Sequence, residues 1–250
     1  MGLTQLIQPF YRKLDDSFRR QPVVGQLGWT VVRTHNPVPQ ILDVKRADDR
    51  KHDAIEGEIR NFKDGDFRRK NRLPIYKLQL RDHEELFVER AKRRPAIVVW
   101  EGGTTFPDAD RVLRQAGKKH LQERNIVVAP LYPCECPEHP AGFPPIMRNR
   151  IGALMYSQFF PCAGSSEPFM YDSVARLDRL QPIVPQAPTW EPMPVALADD
   201  ALAVLLALLR LRAGSRLEQE ISDLRDLLLE TVKPEFKVAL PQRPSAGASE

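Results

Sequence analysis

The sequence predicts a mainly β protein with appended helices: an α+β fold built on a small bent antiparallel β-barrel, with an N-terminal helix and a C-terminal helical hairpin. Three observations predict it. From Gly25 to Leu180 the chain runs through short β-rich segments separated by polar or proline-rich connections, the texture of a small sheet or barrel. The first 22 residues and the stretch after Asp199 instead repeat apolar residues at helical spacing. The 23 prolines exceed the usual share of about 5% and crowd into 130–145 and 182–194, segments that read as rigid loops or edges.

Taken in order, Leu3, Leu6, Ile7, Phe10, Tyr11, Leu14 and Phe18 mark an amphipathic helix over residues 1–22, flanked by Arg12, Lys13, Arg19 and Arg20 and ended by Pro22. It docks on the main domain or meets a membrane surface or partner. Residues 23–195 form the barrel domain, with strands expected at 28–33, 40–45, 75–80, 86–89, 96–100, 126–131, 151–160 and 173–180. A charged insertion at 46–72, ending in the Arg68-Arg69-Lys70-Asn71-Arg72 run, reads as a solvated surface loop. A second insertion at 108–124 carries Val112, Leu113, Ala116 and Leu121 and reads as a helix interrupted near Gly117. In the hairpin, 196–232, Asp199 or Asp200 caps a nearly all-apolar helix that Gly214 stops, and Ser215 with Glu218 forms a capping box for the next. The tail, 233–250, is expected to be disordered.

Composition narrows the function classes. A net charge of +4 permits nucleic acid without implying it. The longest apolar run, Ala201 to Leu209, falls well short of the roughly 18 residues a membrane span needs. With no export leader before Leu3, the three cysteines read as reduced thiols of a cytoplasmic protein. No His-Glu-x-x-His helix, Gly-x-Ser-x-Gly elbow or dinucleotide fingerprint is present. Glu101-Gly102-Gly103-Thr104-Thr105 lacks the lysine of a P-loop and reads as a tight turn. Cys134, Cys136, His139 and Cys162 supply zinc-type atoms, but Cys-x-Cys-x2-His is tighter than the usual ligand spacing, so no metal and no cofactor are expected.

The run from Phe87 to Trp100 carries the sharpest signal. Glu89 is followed five positions later by Arg94-Pro95 and then by Ala96-Ile97-Val98-Val99. Further on stands Asp172-Ser173-Val174-Ala175-Arg176-Leu177-Asp178-Arg179-Leu180-Gln181-Pro182-Ile183. In order and spacing these segments resemble the Glu-x4-Arg-Pro strand and the late Asp-Ser-Val strand of the MazF/PemK toxins, with Asn125 to Leu131 where that family has its central strand. The chain departs from the pattern at Leu131, Tyr132 and Pro133, where the family has Thr or Ser, and at Lys92-Arg93, in place of a glycine. The insertions and the first helix have no counterpart.

The resemblance implies a metal-independent endoribonuclease that cleaves single-stranded RNA by 2′-hydroxyl attack. Such cleavage needs a proton acceptor, a donor to the phosphorane oxygens and an acid for the leaving oxygen. Arg94 suits the second role, because its fork matches phosphate and stays charged. Glu89 either positions Arg94 or acts as base, and Tyr132 stands in for the missing hydroxyl. Lys92, Arg93 and Arg176 contact RNA. A homodimer and an antitoxin are the implied partners. The alternative is a non-catalytic RNA-binding or protein-interaction module on the same fold, in which Arg94 pairs with Glu89 on the barrel rim.

Overall fold

The computed structural model describes residues 1–19, 21–34, 37–48, 50, 55–68, 80–102, 107–117, 125–137, 140, 142–164, 169–232 and 234. The protein is mainly antiparallel β with a few helices, and it divides into two compact units, residues 1–30 with 94–250 and residues 31–93. In chain order the elements are α1 (Leu3–Leu6), β1 (Tyr11–Lys13), a 3-10 turn (Asp16–Arg19), β2 (Gln26–Thr34), β3 (Gln40–Arg46), β4 (Ile55–Asn61), β5 (Phe87–Val88), β6 (Arg90–Trp100), α2 (Pro107–Gln115) and β7 (Ile126–Pro133). There follow α3 (Pro145–Gly152), β8 (Phe159–Cys162), β9 (Ser173–Arg176), β10 (Gln181–Ile183), β11 (Trp190–Leu197), α4 (Asp199–Arg212) and α5 (Gln219–Glu230). Among the described residues no helix is long and apolar enough to cross a membrane.

The larger unit is organised by an eight-stranded sheet in the order β1-β11-β2-β6-β7-β9-β8, with β10 also on β7. No ladder among the described residues joins β1 to β8, so the expected closed barrel is an open sheet. Strand alternation sends successive side chains to opposite faces, and here both faces are covered. Ile97, Val99, Ala129, Leu131, Phe160 and Ala175 look into the main core with α4, α5 and α1. On the other face Ala96, Val98, Ile126 and Val128 pack with Ile183 and Trp190. Farther along that face Val174, Phe159 and Cys134 pack with Ile151. Gly28 is fixed by Trp190, because a Cβ there would come within 2.4 Å of the indole.

β7 has two partners in series. Its Leu131–Pro133 end pairs with β9 and its Ile126–Val128 end with β10, so Pro130, which has no N–H to donate, sits at the changeover. A turn closed by the Arg179 N–H to the Arg176 carbonyl carries the chain from β9 to β10. The single strand expected at 173–180 is therefore two.

The expected N-terminal helix is a correction. Only α1 is helical, and the chain then enters β1 and the 3-10 turn. Pro9 removes a backbone donor and disfavours helical geometry at the residue before it. Leu3, Ile7, Phe10 and Phe18 are still buried, one by one rather than along a helix face. The strand expected at 151–160 is also revised: Pro144-Pro145 starts α3, with Pro145 at its first position, and β8 begins at Phe159. Trp190 to Leu197 forms a strand despite Pro192 and Pro194, because the β11–β2 register shifts between Pro192 and Ala196. Bulges are where prolines enter sheets.

The hairpin helices form as expected, with different caps. Ala198 precedes α4, leaving Asp199 and Asp200 in its first turn, where they complement the helix dipole. Gly214, at φ 94°, follows it. α5 starts after Glu218, whose side chain makes no cap hydrogen bond but pairs with Arg210 at 2.8 Å, so the Ser215–Glu218 capping box is not made. α4 buries Ala201, Val204, Leu205 and Leu208 in the main core, with Leu228 of α5 beside them.

The smaller unit has a three-stranded sheet, β4-β3-β5. It places a strand, Ile55–Asn61, inside the segment expected to be a charged loop. The strand alternates: Ile55, Gly57 and Ile59 fall on one side, Glu56, Glu58 and Arg60 on the other. Arg60 donates to Asp43 at 3.0 Å and to both carboxylate oxygens of Asp66 at 2.9 and 2.7 Å, and Asp66 also accepts from the Lys63 N–H. These bonds, those to Asp66 first, raise the pKa of Arg60. The expected strand at 75–80, the Arg69–Arg72 part of the basic run, residues 118–124 of the inserted helix and nearly all of 233–250 lie outside the described residues.

Candidate nucleic-acid interface

β6 changes character at Arg94. Residues Arg90 to Arg93 are exposed, Arg94 and Pro95 are half-buried, and Ala96 to Val99 are buried. Arg94 is thus the last charged group before the strand enters the core, and its backbone is held by the sheet. Ala96 pairs with Pro130; continuing that register by two residues brings Arg94 opposite Tyr132. The Arg94 guanidinium carbon lies 4.5 Å from the centre of the Tyr132 ring, within cation–π range.

The next strand supplies a second cation. Tyr132 pairs with Val174, and Arg176, two residues on, points to the same face. Its guanidinium is 5.9 Å from the Tyr132 ring and 5.1 Å from the ring of Phe159, its cross-strand partner. Asp178 holds Arg176 through bonds of 2.7 Å from Nε and 2.5 Å from Nη2. That pairing lowers the carboxyl pKa of Asp178 and raises that of Arg176, and it leaves Nη1 as the free edge of the fork. No described carboxylate pairs with Arg94, and the Tyr132 hydroxyl makes no hydrogen bond among the described residues.

This face lies between two small apolar clusters, Ala96, Val98 and Val128 on one side and Val174 and Phe159 on the other. The row continues to Tyr156, whose ring meets Phe159 edge-on at 6.0 Å, and to Arg150, whose Nη1 donates to the Tyr156 hydroxyl at 3.2 Å. Arg150, Tyr156 and Phe159 did not stand out in the sequence. They come together because α3 ends beside β8, and no residue spacing announces that.

The remaining sequence candidates belong to the smaller unit. Glu89, in the smaller unit, has its carboxylate 3.8 Å from Arg33 Nη1, and Lys92 and Arg93 are exposed on β6 in that unit. The structure thus brings Arg94, Tyr132 and Arg176 together in the larger unit.

The cysteines form no disulfide. Burial first, then Asp172, pushes the Cys134 thiol up to about 11; burial also raises that of Cys162. Both hold their protons at neutral pH. No group of three potential metal ligands occurs among the described residues, and His139 lies outside them. Cys134, Arg148 and Asp172 border two clefts of about 410 and 480 Å³, with Arg148 paired to Glu135 at 2.8 Å. Gly102 makes a turn at φ 62°, where a Cβ would meet the Asn125 carbonyl oxygen at 2.3 Å. Comparisons with protein-family models, with curated proteins and with solved structures each find no match to this chain.

Proposed function

We propose that this protein binds single-stranded RNA on the face formed by Arg94, Tyr132 and Arg176. The observation that carries the reading is the pair of guanidinium groups on one tyrosine ring, both anchored by paired strands. Arginine forks match phosphate oxygens, and an aromatic ring between them offers a stacking surface to a base of any sequence. The mildly basic balance of the chain, +4, is compatible with the same ligand class. Fluorescence anisotropy with labelled oligo-uridine is the direct test. Arg94→Ala is expected to weaken binding by about tenfold or more, with a shallower salt dependence; an unchanged affinity overturns the reading.

Cleavage is the second reading, favoured by an Arg94 fork that no described carboxylate occupies and by a Tyr132 hydroxyl that makes no hydrogen bond among the described residues. In it the RNA 2′-hydroxyl gives its proton to water as its oxygen attacks phosphorus, the bond to the 5′-oxygen breaks and that oxygen takes a proton from water, while Arg94 stabilises the phosphorane and Tyr132 donates to a phosphate oxygen. This is the MazF/PemK-like activity, with a homodimer and an acidic antitoxin as the partners that go with it. Incubation of single-stranded RNA with the protein in EDTA tests it: cleavage that Arg94→Ala slows by on the order of 10² supports it, and intact RNA removes it while leaving the binding reading in place.

A further inference from the structure

The cations and rings do not stop at Tyr132. From β6 across β7, β9 and β8 to the end of α3 they form a row: Arg94, Tyr132, Arg176, then the paired rings of Phe159 and Tyr156, then Arg150. Each neighbour is in contact, by cation–π approaches of 4.5, 5.9 and 5.1 Å, a ring-to-ring distance of 6.0 Å and the 3.2 Å hydrogen bond from Arg150 to Tyr156. The row crosses three interstrand gaps of about 4.8 Å each, with a two-residue step along β9 from Val174, opposite Tyr132, to Arg176.

We infer that this row is a linear track for about three nucleotides of single-stranded RNA, laid across the strands from Arg94 to Arg150; the inference rests on the binding reading above. The chemistry sets the order of contacts. Tyr132 and Tyr156 are the half-exposed rings and take bases. Phe159 is buried and serves as the floor beneath Arg176, not as a stacking partner. Arg94, Arg176 and Arg150 fall before, between and beyond the two tyrosines and meet successive phosphates. Arg176 is held by Asp178 through Nε and Nη2, which leaves Nη1 for a phosphate, so the central phosphate contact is the preorganised one. Because the recognition elements are forks and ring faces, the track discriminates strand length and single-strandedness ahead of base identity.

The test compares a labelled uridine dinucleotide with an oligo-uridine of about eight nucleotides, titrated against wild type, Arg94→Ala, Arg150→Gln, Tyr156→Leu and a charge-matched control, Arg216→Gln, at an exposed position off the row. Thermal unfolding of each variant confirms folding, and Arg150→Gln carries the test alone if Tyr156→Leu is unstable. Arg150→Gln and Tyr156→Leu are expected to weaken the longer ligand by about tenfold and to leave the dinucleotide unchanged, whereas Arg94→Ala weakens both. If Arg150→Gln binds the longer ligand as wild type or as the Arg216→Gln control does, while Arg94→Ala loses it, the track is overturned and the binding reading stands. If wild type binds neither ligand, both fall.

Discussion

The two units are held by different means. In the larger one the central strands β6 and β7 are apolar on both faces, and the sheet is buried between the α4–α5 side and the Trp190 side. In the smaller one, Ile41 and Val44 are buried, yet Ile59 and Phe87 remain 57% and 51% exposed. Much of the specific bonding there runs through one arginine and two carboxylates. A two-sided apolar core is insensitive to salt and pH; an ion network is not. The comparison therefore assigns to the smaller unit the greater response to solution conditions, and to the larger one a core that depends on them little.

Three measurements break or sharpen that contrast. The largest effect is expected from Leu205→Ala, which empties a fully buried position between α4 and the sheet; a loss of about 2–5 kcal/mol in denaturant unfolding is the expected outcome. A loss well under 1 kcal/mol would mean that the helices are not integral to that core. Next comes Asp66→Asn, which keeps the shape of a side chain that is 6% exposed and removes its charge. Amides of β3 and β4 are expected to exchange roughly tenfold to a hundredfold faster while those of β7 keep their protection. Equal acceleration in both units would erase the contrast.

The smallest effect concerns the Arg176–Asp178 ion pair beside Tyr132. The bonds from Arg176 depress the carboxyl pKa of Asp178, so the pair's contribution is present above the ordinary carboxylate range and is lost as pH falls through the lowered folded value. Asp178→Asn is expected to cost about 1 kcal/mol or less at neutral pH, the pair being partly exposed. That difference should shrink towards zero on acidification below about pH 4. A difference that does not change with pH would assign the effect to packing.

Much of the larger unit was legible in the residues because apolar runs there coincide with single elements. Arg94-Pro95, expected to open a core strand, instead lies inside β6 where that strand turns from exposed to buried; Ile126 to Leu131 lies within β7, and the apolar run after Asp199 forms α4. The failures have physical causes. The first 19 residues carry a helical apolar pattern, but Pro9 interrupts it and tertiary burial captures the same side chains in another conformation. β11 was hidden because its prolines sit where the register shifts, a feature set by the neighbouring strand. β4 was hidden by its charges, although its period of two was present. At the site, Tyr132 was singled out for its hydroxyl, and the structure adds two guanidinium groups at its ring; Arg176 entered through a family pattern and is held by Asp178, two residues on. The Arg150–Tyr156 end depends on a helix meeting a strand and left no local trace.

The divided pairing of β7 has a mechanical meaning. With Pro130 between them, its two ladders behave as two short zips in series, since opening one breaks no hydrogen bond of the other. The end that carries Tyr132 is therefore fastened to β9 independently of the Ile126–Val128 end on β10. A single strand thus works as a double hem, stitching two consecutive strands to the sheet by separate seams.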